Sequence, residues 1–495
     1  MTGGWVRLVF LFLSAAGAVV SAAEPPSLDS LFPAGVVPGT TNLLTVTGKF
    51  SSWPPRFWIS GTGLTVSATT NKGVIQIIAD SGAPVGPRLL RLFNDDGAGE
   101  PRILVVGAGR EMTEIEPNNL ESKAQDAGPL PVTINGRLDK KDDVDSFSVR
   151  LQAGQWLEAR VDCYTLLSKV DAVLRLVRTN GQPLAWNHDF ITLDPRLIWR
   201  AATNETVIVQ LFGFAYPADS EIRLTGGDAT AYRLHLSATT ERPEICPPQS
   251  GGSFAREPAI LPAVVSARLE SGTNEHRYLF SAKKGQVIEA RLEAGSLGSL
   301  LDPWIRIEDS TARELARADD SSGGRDPSLE WKAPADGQFS AVVGSMTHRG
   351  GEDYCYRLRL DPVGPDFRAT LAASGLVLTA GATNELKLNL KRLRGFTNEL
   401  AVALPGGPSS VTLLTTNLGG REGSISLQVS AESNAPPFQG PVQVELTDTR
   451  AGISRRVPFE LISKSQNNGV PQGYSQLLIN STDDLWLTVR PAATK

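Results

Sequence analysis

Cysteine, methionine and histidine are scarce in this 495-residue chain, at three, three and four residues. Cys163, Cys246 and Cys355 lie far apart and are odd in number, so they make neither a disulfide scaffold nor a thiolate metal cluster. One pair could bridge in an oxidising compartment; free thiols, buried or isolated, are the simpler expectation. His188, His235, His276 and His348 include no pair at helical ligand spacing, which leaves zinc chemistry without support. The His-Glu-x-x-His and Gly-x-Ser-x-Gly signatures are absent, as are the phosphate-loop and dinucleotide glycine patterns. Charge of one sign is lacking too: 48 basic against 53 acidic residues leave −5, without the basic excess a nucleic-acid partner requires. What the chain has is turn formers, 47 Gly and 33 Pro, with 41% hydrophobic residues. That supply suits about three or four domains rich in turns and poor in long helices.

The N-terminus reads as a targeting signal, residues 1–23. Arg7 precedes the apolar run Leu8–Val20, and Ser21-Ala22-Ala23 supplies small residues at a cleavage point before Glu24. The run is shorter than the roughly 20 residues that span a bilayer. An uncleaved anchor is the competing reading. Cleavage predicts an exported protein (periplasmic, cell-surface or extracellular) with no membrane span afterwards.

Residues 25–110 read as a small β domain, with strands such as Val74–Ile78 and Arg102–Val106 bounded by turn residues. Residues 111–125 read as an acidic linker. The organising feature is then an internal repeat. Phe147, Ala153-Gly154-Gln155, Asp171, Leu184-Ala185 and Asp189 recur 131 residues later as Tyr278, Lys284-Gly285-Gln286, Asp302, Leu315-Ala316 and Asp320. Asp194-Pro195 and Trp199 recur at 132, and Tyr232-Arg233-Leu234 at 124 as Tyr356-Arg357-Leu358. The copies occupy 126–239 and 257–362, separated by a linker, 240–256. In 366–495, Leu386, Leu388 and Leu390 alternate with Lys387 and Asn389, again a strand with one buried face. The fold class expected is all-β: a multi-domain chain of antiparallel β-sandwich modules, immunoglobulin-like or jelly-roll-like. Trp199 and Trp331 read as core residues of the two copies. His188-Asp189 and Asp319-Asp320 read as turn residues.

Glu114-Ile115-Glu116-Pro117-Asn118-Asn119, Asp142-Asp143-Val144-Asp145-Ser146-Phe147, Ala153-Gly154-Gln155 and Asn180-Gly181-Gln182-Pro183-Leu184-Ala185 resemble the bacterial pre-peptidase C-terminal domain family. The second copy resembles it more weakly, through Lys284-Gly285-Gln286, Leu301-Asp302-Pro303, Asp319-Asp320 and Ala335-Asp336-Gly337-Gln338-Phe339. Together the motifs cover about 240 residues. The arrangement is similar to secreted proteins of planctomycete-type bacteria, and residues 25–110 are loosely similar to IPT/TIG-like immunoglobulin domains.

The resemblance implies β-sandwich accessory domains that are not themselves proteolytic, some of which bind calcium or an extracellular polymer such as collagen. It implies a structural Ca2+ site in the first copy at Glu114, Glu116, Asn118, Asn119, Asp142 and Asp145. Residue chemistry agrees: calcium takes about six to eight oxygen ligands, and two carboxylate-rich segments can supply them. A solvated acidic linker beside an ordinary turn is the bland alternative. The second copy places Thr273 and His276 at the positions of Asp142 and Asp145, and should bind no ion there. The function expected is a non-catalytic exported accessory protein with a binding, structural or adhesive role, its partner an extracellular polymer or surface protein. The alternatives are a cryptic extracellular hydrolase or protease-associated subunit, and an assembly subunit of a surface complex.

Overall fold

The computed structural model describes residues 24–216, 218, 220, 222–244, 257–271, 275–321, 324–462 and 478–492. The expected signal segment, Cys246, Thr273 and most of the 240–256 linker lie outside them. Among the described residues the only helical elements are three short 3-10 turns; the rest of the regular structure is strand. The chain is an all-β assembly of sandwich modules, each built around its own apolar cluster.

The first repeat packs two five-stranded sheets. One runs Glu111–Thr113, Val132–Arg137, Ala231–Thr239, Trp156–Asp162, Arg196–Arg200; the other runs Gln125–Asp126, Asp145–Leu151, Glu205–Ala215, Val170–Arg178, Pro183–Asn187. In the second repeat the corresponding sheets run Ala263–Arg268, Cys355–Val363, Val287–Glu293, Ser328–Lys332 and His276–Ala282, Gly337–Ser345, Pro303–Glu308, Glu314–Ala318. Strand order is the same in both, save for two short parallel edge strands in the first. Those come from the stretch expected to be an acidic linker, which is therefore partly sheet. Its polar groups find partners there: Glu111 is ion-paired with the buried Arg233 and accepts from Asn135 Nδ2 at 2.7 Å.

The repeated motifs are turn and capping devices. Gly154 and Gly285 sit at φ +86° and +83°, where a side chain would be strained, and donate to Ala201 O and Ala333 O at 2.8 Å. The following glutamines close each turn, accepting from Gln152 N and Lys283 N. Asp194 gathers the amides of Cys163, Tyr164 and Thr165 at 2.7–3.0 Å, and Asp326 gathers those of Ala294, Gly295 and Ser296 at the same range. Both therefore hold the 3-10 turn of their module. Burial raises the Asp194 pKa above the ordinary value against these bonds. Asp194→Ala strands three amides and should cost about 2 kcal/mol, read by chemical denaturation.

Trp331 is buried, 4.7 Å from Phe339 between ring centroids. Trp199 only packs partly buried against its core, so the pair expected to be equivalent is unequal. Cys163 is a free buried thiol, but Cys355 is disulfide-bonded, which corrects the expectation of free thiols for that residue.

The first and last modules lie together. Phe93 and Trp58 pack on Trp486, with centroids 4.6 and 5.9 Å apart, and Arg91 lies over the same indole. Arg91 is 1% exposed and donates to Gly99 O, Ser374 O and Ser374 Oγ. Burial lowers its pKa to about 10, with Glu100 and Asp484 opposing. This contact explains why Leu485–Val489 is buried at every position instead of alternating. Leu166 of the first repeat and Leu461 of the last module complete the core of the N-terminal one. Arg242 with Asp353 at 2.6 Å ties the segment after the first repeat to the second, and Arg394 with Glu330 at 2.8 Å ties the second to the last.

Candidate metal centre

Asp145 begins a strand of one sheet of the first repeat, and Tyr232 stands on the opposing sheet. The Tyr232 hydroxyl lies 2.6 Å from Asp145 Oδ2 and 2.8 Å from Glu114 Oε2. Glu114 Oε1 accepts from Arg137 N at 2.5 Å. Gly136 makes this approach possible: a Cβ there would lie 2.1 Å from the Tyr232 ring and 2.5 Å from Glu114 Oε2. Glu116 arrives from the same segment, accepting from Asn118 N at 3.2 Å. One ligand oxygen each from Glu114, Glu116 and Asp145 lies within 4.8 Å of the others.

Three carboxylates therefore converge, Asp145 wholly buried and the two glutamates half-buried. Glu116 Oε1, Asp145 Oδ1 and both polar atoms of the fully buried Asn118 have no hydrogen-bond partner. Such groups cost free energy when left unpaired. Burial, then the charge of Glu114, raises the Asp145 pKa far above the carboxylate range, and burial raises Glu114 likewise. Burial and the same acids keep the Tyr232 phenol protonated. An acidic cluster able to hold a divalent ion is in place; its orphaned oxygens fit a hard cation that takes oxygen ligands.

The structure gathers only some of the residues expected here. Glu114, Glu116 and Asp145 come together, and the Asn118 side chain is fully buried in the same segment as the two glutamates. Asn119 stands beside them, donating through Nδ2 to Asp143 Oδ1 at 2.5 Å, while Asp143 Oδ2 accepts from Asp139 N. Asp142 is elsewhere: it is exposed, at φ +65°, and ion-paired with Arg223. Asp142 thus sits in a left-handed turn with its carboxylate paired to Arg223. Tyr232, Asp143 and Gly136 belong to the site and were missed. A signal for Tyr232 existed in its recurrence as Tyr356.

The second repeat fills the same place differently. Tyr356 Oη lies 2.6 Å from His276 Nδ1 and 2.6 Å from Tyr278 Oη, so an imidazole stands at the register position of Asp145 and a phenol at that of Phe147. Burial lowers the His276 pKa, which favours the neutral ring.

Two arrangements bear on catalysis. Thr133 Oγ1 lies 2.9 Å from His235 Nδ1, and His235 Nε2 lies 2.7 Å from Asp162 Oδ2. Burial opposes ionisation of Asp162, but the His235 bond and nearby Arg160 and Arg233 outweigh it and lower its pKa. This is a hydroxyl–imidazole–carboxylate chain on one sheet face. The backbone beside it is committed, however: Thr133 N donates to Arg110 O, and the flanking residues lie in the ladder with Ala231–Thr239. The Thr133 amide is thus committed, and the three side chains lie in a cleft of about 520 Å³ that Gly107, Ala108 and Gly109 also line. A cavity of about 530 Å³ where three modules meet is lined by Ser168, Glu100 and Lys169 among others, but by no histidine or cysteine.

The fold defines a class of all-β, multi-domain proteins built of antiparallel β-sandwich modules. No protein-family model matches the chain, and no curated protein does either. Among solved structures it is similar to the fibronectin(III)-like modules of Clostridium thermocellum CbhA at 11% identity, over 47% of this chain and 97% of that one, TM-score 0.16. It is also similar to domains 1–6 of the surface layer protein SbsC at 10% identity, over 96% and 55%, TM-score 0.16. The four N-terminal immunoglobulin domains of Dscam1 isoform 4.4 match at 10% identity over 95% and 98%, TM-score 0.19. Scores this low place no weight on the order or orientation of the modules. Among the described residues no helix is long and apolar enough to cross a membrane.

Proposed function

We propose that this is an exported, non-catalytic binding or structural protein whose first repeat is fastened by Ca2+, and whose resemblance to pre-peptidase C-terminal domains extends to that ion. The observation that carries the reading is the convergence of Glu114, Glu116 and Asp145, with Glu116 Oε1 and Asp145 Oδ1 buried and without hydrogen-bond partners. Glu114, Glu116, Asp145 and Asn118 would hold the ion, with Tyr232 and Asp143 as positioning residues. The ion supplies positive charge that joins the 114–118 segment to the sandwich; these residues orient oxygens and exclude water, and no reaction follows. The disulfide at Cys355 supports an oxidising compartment outside the cytoplasm. The remaining expectation of an extracellular polymer or surface protein as partner belongs to this reading.

The experiment is a thermal melt of the purified protein with calcium or with chelator. Calcium should raise the first transition in the wild type and leave it unmoved in Asp145→Asn. An equal response in both would overturn the reading. The hydrolase alternative has one observation behind it, the Thr133–His235–Asp162 chain, and predicts ester turnover that His235→Ala removes. A non-catalytic protein instead leaves p-nitrophenyl acetate hydrolysis at background for both wild type and variant.

A further inference from the structure

The two repeats share a topology but differ sharply on the outer face of one sheet. In the second repeat Trp304, 7% exposed, fills the middle of that face over Gly344, where a Cβ would meet the indole at 2.2 Å. The Arg306 and Arg317 guanidinium groups lie 4.7 and 4.6 Å from the ring centroid, and Arg306 is also ion-paired with Glu275 and Glu308. That face is filled by the indole and the two guanidinium groups against it.

In the first repeat the same register positions are redistributed. Val173 stands where Trp304 does, paired with Phe212 instead of glycine, and Trp186 stands where Arg317 does. The result is an open cleft of about 340 Å³ lined by Asp171, Val173, Trp186, His188, Phe212 and Phe214. Trp186 is 66% exposed and Phe214 47%, an unusual cost for rings that could have packed inward. His188 is not only a turn residue: it stacks on Trp186 at an interplanar angle of 15° and lies 2.9 Å from Asp189 Oδ2 through Nδ1. Asp171 also lacks a partner for Oδ1, and burial, then the charge of Asp189, raises its pKa to about 6.

We propose that this cleft is a carbohydrate-binding site, taking pyranose rings of an extracellular polysaccharide on Trp186 and Phe214, with Asp171 and His188 as hydrogen-bond partners for hydroxyl groups. Apolar sugar faces stack on aromatic rings, while equatorial hydroxyls satisfy polar groups at the ring edges. The cleft's chemistry matches both requirements: flat exposed rings next to an acceptor that lacks a donor. A quaternary ammonium ligand would want an enclosing cage of rings, and this cleft is open, with the Arg175 cation already over Phe212 at 5.1 Å. The site lies on the opposite face of the sheet from Asp145, whose side chain meets Tyr232 of the facing sheet. The inference rests on the proposed binding role and supplies its ligand class.

The test is affinity electrophoresis of the full chain in native gels containing hydroxyethyl cellulose, xylan or glycol chitin, with calcium present. At least one polymer should retard the protein. Trp186→Ala and Phe214→Ala should each weaken retardation at least tenfold without moving the thermal melt, since both side chains are exposed. Leu43→Ala, at an exposed apolar position on the N-terminal module, should keep wild-type mobility. No retardation by any of the three polymers overturns the site, as does retardation that both variants retain. Calorimetric binding of tetramethylammonium that Trp186→Ala abolishes would also overturn it, by making the cleft a cation cage. Calcium calorimetry on the same samples reads the metal centre independently, so failure of one claim is distinguishable from failure of the other.

Discussion

Trp486→Ala should destabilise the protein by about 3–5 kcal/mol, the range for removing a large buried aromatic. Trp486 is 3% exposed and sits between the last module's own sheet and Trp58, Phe93 and Arg91 of the first module. Its removal opens a cavity and leaves the Arg91 guanidinium without the ring beneath it. Because the residue joins modules that lie at opposite ends of the described chain, denaturant unfolding should also lose cooperativity. A separate early transition for the N-terminal module is the expected signature, read by urea titration with fluorescence and circular dichroism together. A loss below about 1 kcal/mol, the scale of a surface change, would show that the two modules do not depend on this contact.

The second large effect is that of calcium. At a free concentration 100 times its Kd, a ligand that binds only the folded state stabilises it by about 2.7 kcal/mol. The pH dependence has a definite sign. Glu114 and Asp145 have folded pKa values raised above their unfolded values, chiefly by burial. The stability they contribute is present below the unfolded carboxylate range, about pH 4, and is lost as pH rises toward the raised values. In chelator, then, the first repeat should melt at lower temperature at pH 8 than at pH 5. Calcium should reverse that trend, because its ligands must shed protons and its affinity climbs with pH. Melts at the two pH values, with calcium and with chelator, check both signs.

How far the sequence could be read depended on whether a residue acts locally. Gly154, Gln155 and Asp194 hold turns next to themselves in the chain or one strand away, so their recurrence as Gly285, Gln286 and Asp326 carried the sandwich repeat into view. Alternation at Leu386, Leu388 and Leu390 was equally legible, since one face of that sheet meets water. It failed at Leu485–Val489, where a second module covers the outer face. At the acidic cluster, the convergence of Glu114, Glu116 and Asp145 was foreshadowed by the carboxylate-rich segments on which they lie. The pairing of Asp142 with Arg223 was not legible, because the two lie 81 residues apart in sequence. The aromatic cleft was hidden for a related reason: Trp186, Phe212 and Phe214 adjoin only through strand register.

The proposal that Glu114, Glu116 and Asp145 hold Ca2+ is tested most directly by isothermal calorimetry with calcium. Wild type and Asp142→Asn should both bind at one site with matching heat, because Asp142 is exposed and committed to Arg223. Asp145→Asn and Glu114→Gln should give no heat up to millimolar calcium while retaining the folded circular dichroism spectrum. Silence from the wild type, or binding lost in Asp142→Asn and kept in Asp145→Asn, would contradict a site centred on Glu114, Glu116 and Asp145.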